Sequence, residues 1–97
     1  MYLHLGQDTV VRTGHIVGIF DLENATTAAA TREYIARAQK NGEVVNVSME
    51  LPKSFVVCCE NGKTKVYISQ ISAQTLLKRA NAGSSQLQEP SFFGKGS

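Results

Sequence analysis

Two adjacent cysteines and two nearby lysines are the residues of this 97-residue sequence best suited to chemistry. Cys58 and Cys59 lie in the stretch VVCCENGKTKVYIS, and thiolates are good ligands for zinc. Lys63 and Lys65 follow in the same stretch, and lysine binds phosphate groups as a point charge. The stretch therefore supports two hypotheses, a metal or redox site and a surface that binds anions.

The same stretch has the pattern of a β-hairpin. Asn61-Gly62, placed between two β-rich runs, predicts a two-residue type I′ turn. Counting outward from this turn pairs Glu60 with Lys63, and side chains alternate between the two faces of the hairpin. We expect a core face made of Phe55, Val57, Cys59, Thr64, Val66 and Ile68. We expect a mixed face made of Val56, Cys58, Glu60, Lys63, Lys65 and Tyr67.

The hairpin pattern argues against a metal or redox role for the cysteines. Neighbouring residues of a strand point to opposite faces, so Cys58 and Cys59 cannot converge on one metal ion. A disulfide between them would distort the strand, and thiols stay reduced in the cytosol. We therefore expect Cys59 in the core and Cys58 as a small filler on the mixed face.

The lysines remain as candidates for function. Lys63 and Lys65 share a face with Tyr67, and a basic strand face with an aromatic side chain can contact a phosphate backbone. The alternative is a solvated sheet edge that lysines protect from aggregation. Arg12 and Lys53, each beside a turn, are further candidates for phosphate contact.

Enzymatic chemistry is not indicated. Both histidines, His4 and His15, fall in the β-rich start of the chain, without the paired acid or base that catalysis requires. The glycines near them lack the spacing of a phosphate-binding loop. We expect no enzyme and no cofactor, and the least favoured alternative is a small-molecule or metal sensor that uses His4, His15 or Cys58.

Composition bounds the class of protein. The chain is long enough for one domain, with 42% hydrophobic and 19% charged residues. Its apolar runs are too short to cross a bilayer and its start does not resemble a signal peptide, so we expect a cytoplasmic protein without membrane contact. Such a small chain has a thin core, which favours self-association. The net charge is +2, but residues 61–97 hold five Lys/Arg against one Asp/Glu, so this part is locally basic.

The element pattern predicts an α+β fold, a small antiparallel β-sheet with hairpins and two short helices. The first 22 residues are rich in β-forming residues, and a helix follows from Asn24 to the stop signal Asn41-Gly42. A second helix begins after the N-cap Ser72 and ends before Gly83. We expect one domain over residues 1–82 and a flexible tail over 83–97. Phe92-Phe93 in that tail either docks on a neighbouring subunit or stays free.

Several stretches together resemble one bacterial family: MYLHLG, IVGIFDLENAT, TREYI, VVNVSMELPKSFVV and VYISQISAQTLLKR. They are similar, in order over residues 1–80, to the extracellular matrix regulatory protein B (RemB) family, a sister of RemA. The resemblance implies a DNA-binding transcriptional regulator of biofilm matrix genes. It also implies a ring-shaped homo-oligomer, with a protomer similar to the LytTR DNA-binding domain.

The resemblance also bears on the DNA contacts. RemA-like chains carry an arginine-rich run where this chain has Lys53, and an arginine where it has His15. We combine these two positions with the cations that lie beside turns or on the predicted hairpin. The residues expected to contact the backbone of double-stranded DNA are then Arg12, His15, Lys53, Lys63 and Lys65. The alternative is an oligomeric protein-interaction module in the same pathway with little direct DNA binding.

Overall fold

The computed structural model describes residues 1–23 and 29–85, which form six strands and two α-helices. In chain order the elements are β1 (Tyr2–Gly6), β2 (Thr9–Arg12), β3 (Ile16–Asp21), α1 (Ala29–Lys40), β4 (Val44–Asn46), β5 (Ser54–Glu60), β6 (Lys63–Ser69) and α2 (Ala73–Ser85). A short 3₁₀ turn, Thr13–His15, joins β2 to β3. The predicted α+β class is confirmed.

Strands β5 and β6 form the hairpin predicted from Asn61-Gly62. Both turn residues have positive φ, 55° and 77°, as a type I′ turn requires. Glu60 pairs with Lys63 at the turn, and the ladder continues to Ser54 and Ser69 at the other end. The predicted register is therefore confirmed at every pair.

The main sheet has four strands in the order β3-β5-β6-β4 and is not wholly antiparallel. Strand β4 runs parallel to β6, with Val44 opposite Val66. The reason is that β6 is inserted between β4 and β5, which are consecutive in the chain and run in opposite directions. Since β6 is antiparallel to β5, it must be parallel to β4, so the predicted antiparallel sheet carries one parallel strand at this edge.

Apolar side chains cover both faces of the main sheet. The β1–β2 hairpin and α2 pack on one face, where the buried cluster consists of Leu3, Leu5, Val11, Ile19, Val47, Val56, Cys58, Ala73, Leu76 and Ala80. Helix α1 covers the other face, where the smaller buried cluster consists of Ala38, Phe55, Val57 and Val66. The mixed face of the predicted hairpin thus packs in the larger of the two clusters.

The two cysteines have the opposite burial to the one expected. Cys58 is 6% exposed and belongs to the larger cluster, whereas Cys59 is exposed. The smaller cluster extends along β5 only as far as Val57, so this cluster of described residues does not cover Cys59 near the hairpin turn. Burial raises the pKa of the Cys58 thiol to about 11, which keeps it protonated at neutral pH.

The helix ends agree in part with the sequence signals. Helix α1 ends in a Schellman motif, in which Gly42 has φ 73° and the Glu43 N–H donates to the Ala38 carbonyl at 2.9 Å. The Ser72 Oγ caps α2 by accepting from the Thr75 N–H at 3.2 Å. Helix α2 continues through Gly83 to Ser85, so Gly83 is not its C′ residue.

Two of the sequence predictions lie outside the described residues. These are the capping signals at positions 24–28 and the tail beyond residue 85, including Phe92-Phe93.

Two buried serines connect the first hairpin and α2 to the main sheet. The Ser69 Oγ donates to the Leu5 carbonyl at 2.7 Å and accepts from the Ile71 N–H at 3.0 Å. The Ser54 Oγ donates to the Ile71 carbonyl at 2.7 Å. Both serines are at most 1% exposed, so these bonds satisfy polar groups that water does not reach. They fix the β1–β2 hairpin against the end of β6.

Candidate nucleic-acid interface

A groove with a cavity volume of about 580 Å³ lies between the β1–β2 hairpin and the β5–β6 hairpin. We call it the basic groove, and it is lined by Tyr2, Val10, Val11, Arg12, His15, Cys58, Glu60, Asn61, Lys63, Lys65 and Tyr67. Four of the five predicted contact residues line it: Arg12, His15, Lys63 and Lys65. These residues are distant in sequence, and the docking of the two hairpins brings them together.

The first wall of the basic groove presents Arg12 beside Tyr2. These residues are register partners across the β1–β2 hairpin. The Arg12 Nε donates to the Tyr2 Oη at 3.4 Å, and the guanidinium carbon lies 5.7 Å from the centre of the Tyr2 ring. The hydrogen bond raises the pKa of Arg12, which is a permanent cation in any case. Arg12 is exposed and lines the groove together with Tyr2, so its charge is accessible to an anion.

The second wall presents the two lysines of β6. Lys63 and Lys65 are exposed and lie opposite Glu60 and Cys58 in the hairpin ladder. Tyr67 follows on the same face and is partly buried. Burial raises the pKa of Tyr67, helped by the nearby Cys58 and Glu60, so its hydroxyl remains a neutral hydrogen-bond donor.

His15 and Glu60 form an ion pair at the edge of the basic groove. The His15 Nδ1 lies 3.6 Å from the Glu60 Oε1, and the attraction is ionic only when the imidazole is protonated. The Glu60 side chain is 63% exposed, and pairs this exposed contribute about 0–1 kcal/mol to stability. Its main effect is on the groove's charge, since one carboxylate partly offsets the three cations Arg12, Lys63 and Lys65.

Lys53 does not lie in the basic groove. It directly precedes Ser54, which is at the opposite end of the β5–β6 ladder from Glu60 and Lys63. Six residues of strand separate these ends, about 20 Å at roughly 3.4 Å per residue. The Lys53 backbone is bonded on both sides, with its N–H donating to the Ser69 carbonyl at 2.8 Å and its carbonyl accepting from Leu22 at 2.9 Å.

Tyr2 lines the basic groove but is not among the residues predicted for it from the sequence. Counting outward from the turn after Gly6 would pair Tyr2 with Thr13, but a register shift between His4 and Gly6 places Tyr2 opposite Arg12, and no local sequence signal marks that shift. His4, considered from the sequence as a sensor residue, is occupied in that turn, where its Nε2 bonds the Gln7 carbonyl oxygen at 2.8 Å.

The described residues offer no cluster of three His, Cys, Asp or Glu side chains able to hold a metal ion. Within the same part of the chain, no helix has both the length and the apolar character needed to span a bilayer.

Comparison with known proteins identifies the class to which this small α+β chain with a basic groove belongs. Residues 2–80 match the family described as RemA-like, extracellular matrix regulatory protein A-like, and the chain belongs to this family. It is 44% identical over 80 residues to the extracellular matrix regulatory protein B of Bacillus subtilis (strain 168). The match covers 82% of this chain and 90% of that relative.

Proposed function

We propose that this chain is a DNA-binding transcriptional regulator of extracellular-matrix genes that acts in the cytoplasm as a homo-oligomer. The observation that carries the proposal is the convergence of Arg12, Lys63 and Lys65 on one groove. Membership of the RemA-like family and the name of the Bacillus subtilis relative support the regulatory role. The expected partners are double-stranded DNA and further copies of this chain.

The chemistry of the basic groove suits the phosphate backbone of DNA. Arg12 binds a phosphate through a planar fork of N–H groups, whereas Lys63 and Lys65 act as mobile point charges. All three cations are exposed, so they keep their charge and can reach an anion. Such contacts fix the position of a protein on the duplex but do not read its sequence.

A single basic groove supplies few phosphate contacts. Three cations and one carboxylate leave a formal charge of about +2 when His15 is neutral, which is small for a specific DNA-binding protein. Self-association repeats the groove around an assembly, and linked weak contacts raise the overall affinity by orders of magnitude. The proposal therefore requires an oligomer as well as a groove.

Fluorescence anisotropy of a labelled AT-rich duplex, titrated with the protein at several salt concentrations, tests this function. We expect binding whose affinity falls steeply with salt, because each phosphate contact releases counterions. Absence of binding at low salt, from a folded and oligomeric sample, would refute it. The second candidate, a protein-interaction module, would then be favoured, since an exposed groove with three cations and a net positive charge can also bind an acidic protein surface.

A further inference from the structure

We propose that DNA binding to the basic groove is coupled to protonation of His15, whose imidazole ring the Glu60 carboxylate orients. Protonation converts a neutral ring in the groove into a cation, so the groove should bind a phosphate backbone more tightly in acid than at slightly alkaline pH. This inference rests on the proposed DNA binding and concerns the regulation of the same groove.

His15 is held at the junction of the two hairpins that form the groove. It is the last residue of the 3₁₀ turn between β2 and β3. Before it, the N–H of the buried Thr13 donates to the Met1 carbonyl at 3.0 Å, and the Thr13 carbonyl accepts from the Ile16 N–H. After it, Ile16 pairs with Cys58 in the main sheet. The backbone of His15 is therefore fixed on both sides, while its side chain is 29% exposed and accessible to protons.

The Glu60 carboxylate determines which nitrogen of the neutral ring carries the hydrogen. The His15 Nδ1 lies 3.6 Å from the Glu60 Oε1, so the hydrogen is favoured on Nδ1. Nε2, on the other side of the ring, then has a lone pair and cannot donate to a phosphate oxygen. In the protonated ring both nitrogens donate, so Nδ1 can contact Glu60 while Nε2 contacts a phosphate. The added proton thus lies on the nitrogen that a phosphate requires.

Protonation of His15 also changes the electrostatics around Glu60. Glu60 is opposite Lys63 in the hairpin ladder, and its charge, after the larger influence of the Tyr2 hydroxyl, contributes to the raised pKa of Arg12. While His15 is neutral, this carboxylate offsets the cations that a phosphate would contact. Once His15 is protonated, the imidazolium compensates the carboxylate, and the formal charge of the groove rises from about +2 to about +3.

The other ionisable side chains of the groove keep their charge where histidine changes its own. Histidine is the residue type that titrates between about pH 5.5 and 7.5. The groove is otherwise lined by the ionisable residues Tyr2, Arg12, Cys58, Glu60, Lys63, Lys65 and Tyr67. In this range carboxylates are anions, lysine and arginine are cations, and tyrosine and buried thiols are neutral. Burial raises the pKa of Cys58 to about 11 and also raises that of Tyr67, which moves both further from this range.

The size of the effect corresponds to one additional phosphate contact for each bound protomer. Such a contact adds about 0.9 to the slope of log affinity against log salt, which is roughly an 8-fold gain in affinity at about 0.1 M salt relative to 1 M. Because the protonated form binds more tightly, binding takes up protons. The affinity should therefore fall as pH rises through the titration of His15 and level off once the ring is neutral.

Anisotropy of a labelled duplex at about 0.1 M salt, measured from about pH 5.5 to 7.5, tests this coupling. We expect the affinity of the parent to fall by up to roughly 8-fold per bound protomer across this range. His15→Gln should lack this fall, and any dependence that remains in it measures the contribution of all other groups. His15→Arg, a permanent cation, should keep the high affinity at every pH.

The matched control is His4→Gln, which removes the other histidine of the chain. His4 is not among the residues that line the groove, and its Nε2 is bonded to the Gln7 carbonyl oxygen at 2.8 Å. This variant should show the same fall in affinity with pH as the parent.

A second measurement does not depend on the duplex. Nuclear magnetic resonance follows the His15 ring during a pH titration with and without a short inorganic polyphosphate. We expect polyphosphate to move the protonation of His15 to higher pH, because a bound anion stabilises the imidazolium, and to leave His4 unchanged. The nitrogen chemical shifts of the neutral His15 ring should show the hydrogen on Nδ1, and a hydrogen on Nε2 would contradict the role assigned to Glu60.

The remaining outcomes separate the possible failures. If the parent binds DNA equally well at every pH, or if the fall persists in His15→Gln or in His15→Arg, the coupling is wrong while the proposed function stands. If no duplex binds at any pH but polyphosphate moves the protonation of His15, the proposed function is wrong and the coupling stands. If neither anion binds, both are overturned. Should His15→Gln not fold, His15→Arg alone decides between these results.

Discussion

Replacing Lys63 and Lys65 with alanine should weaken DNA binding and reduce its salt dependence. Both side chains are exposed on β6 and line the basic groove, so their removal disturbs no buried contact. The hairpin turn and the β5–β6 ladder consist of backbone bonds that alanine preserves. The double variant should therefore fold and associate as the parent does, and any change in binding should come from the lost charges.

The size of the effect follows from the number of phosphate contacts. Each contact contributes about 0.9 to the slope of log affinity against log salt, so two lysines contribute about 1.8 for each bound protomer. Between about 50 and 200 mM salt, this slope corresponds to roughly a 12-fold difference per bound protomer. Across this range of salt, the affinity of the parent should therefore fall roughly 12-fold further than the affinity of the double variant, for each bound protomer.

Anisotropy titrations at four or more salt concentrations measure this slope, with circular dichroism and the mass of the assembly as checks on folding. The matched control is Lys40→Ala with Lys78→Ala, which removes two exposed lysines from α1 and α2 with the same change in net charge. Glu60→Gln should act in the opposite direction and tighten binding several-fold, since it removes the carboxylate of the groove. An unchanged slope in a folded Lys63/Lys65 variant, or an equal loss in the control, would show that the duplex does not lie in the basic groove.

Four further predictions concern the fold. Ser69→Ala leaves two buried backbone partners without a hydrogen bond, so urea unfolding should show a loss of about 1–3 kcal/mol. Gly18→Ala should destabilise by up to about 1 kcal/mol because its Cβ meets the tip of the half-exposed Phe20 ring, which must shift, whereas Gly14→Ala, with no atom within 4 Å, should change the free energy of unfolding by less than about 0.5 kcal/mol. In the native protein Cys59 should react with a thiol reagent and Cys58 should not. Because the Cys58 pKa is raised from 9.0 to about 11, the unfolded thiol ionises first. Stability should therefore fall by up to roughly 3 kcal/mol as pH rises through that window, and less so in Cys58→Ala.

Local sequence signals predicted the β5–β6 hairpin well because its causes are local. Asn61-Gly62 determines the turn, and the turn determines the register of β5 and β6. Which face of the hairpin is the more deeply buried depends instead on where β1, β2 and α2 pack, which no periodicity encodes. For this reason the burial of Cys58 and Cys59 was predicted the wrong way round, and the parallel pairing of β4 was not foreseen.

The candidate site was predictable residue by residue but not as a site. Exposure and charge indicated Arg12, Lys63 and Lys65 from the sequence, yet their convergence depends on how the first hairpin docks on the second. The position of Lys53 could have been found by the same count that gave the register, since it falls beyond the far end of the ladder. Its contact with DNA stays a prediction, as does the similarity of the protomer to the LytTR domain, and Lys53→Ala tests the contact separately.

The first hairpin forms a sheet of its own, and this gives DNA binding a thermodynamic linkage to folding. A two-stranded hairpin is only marginally stable in water, so β1 and β2 depend on docking through contacts such as the Ser69 bond to the Leu5 carbonyl. A polyanion that touches both walls of the basic groove binds only the docked state. At a concentration 100-fold above its Kd, such a ligand adds about 2.7 kcal/mol to that state. Amide hydrogen exchange in residues 2–12 should then slow in proportion to occupancy, so the hairpin that carries Arg12 also reports when the groove is filled.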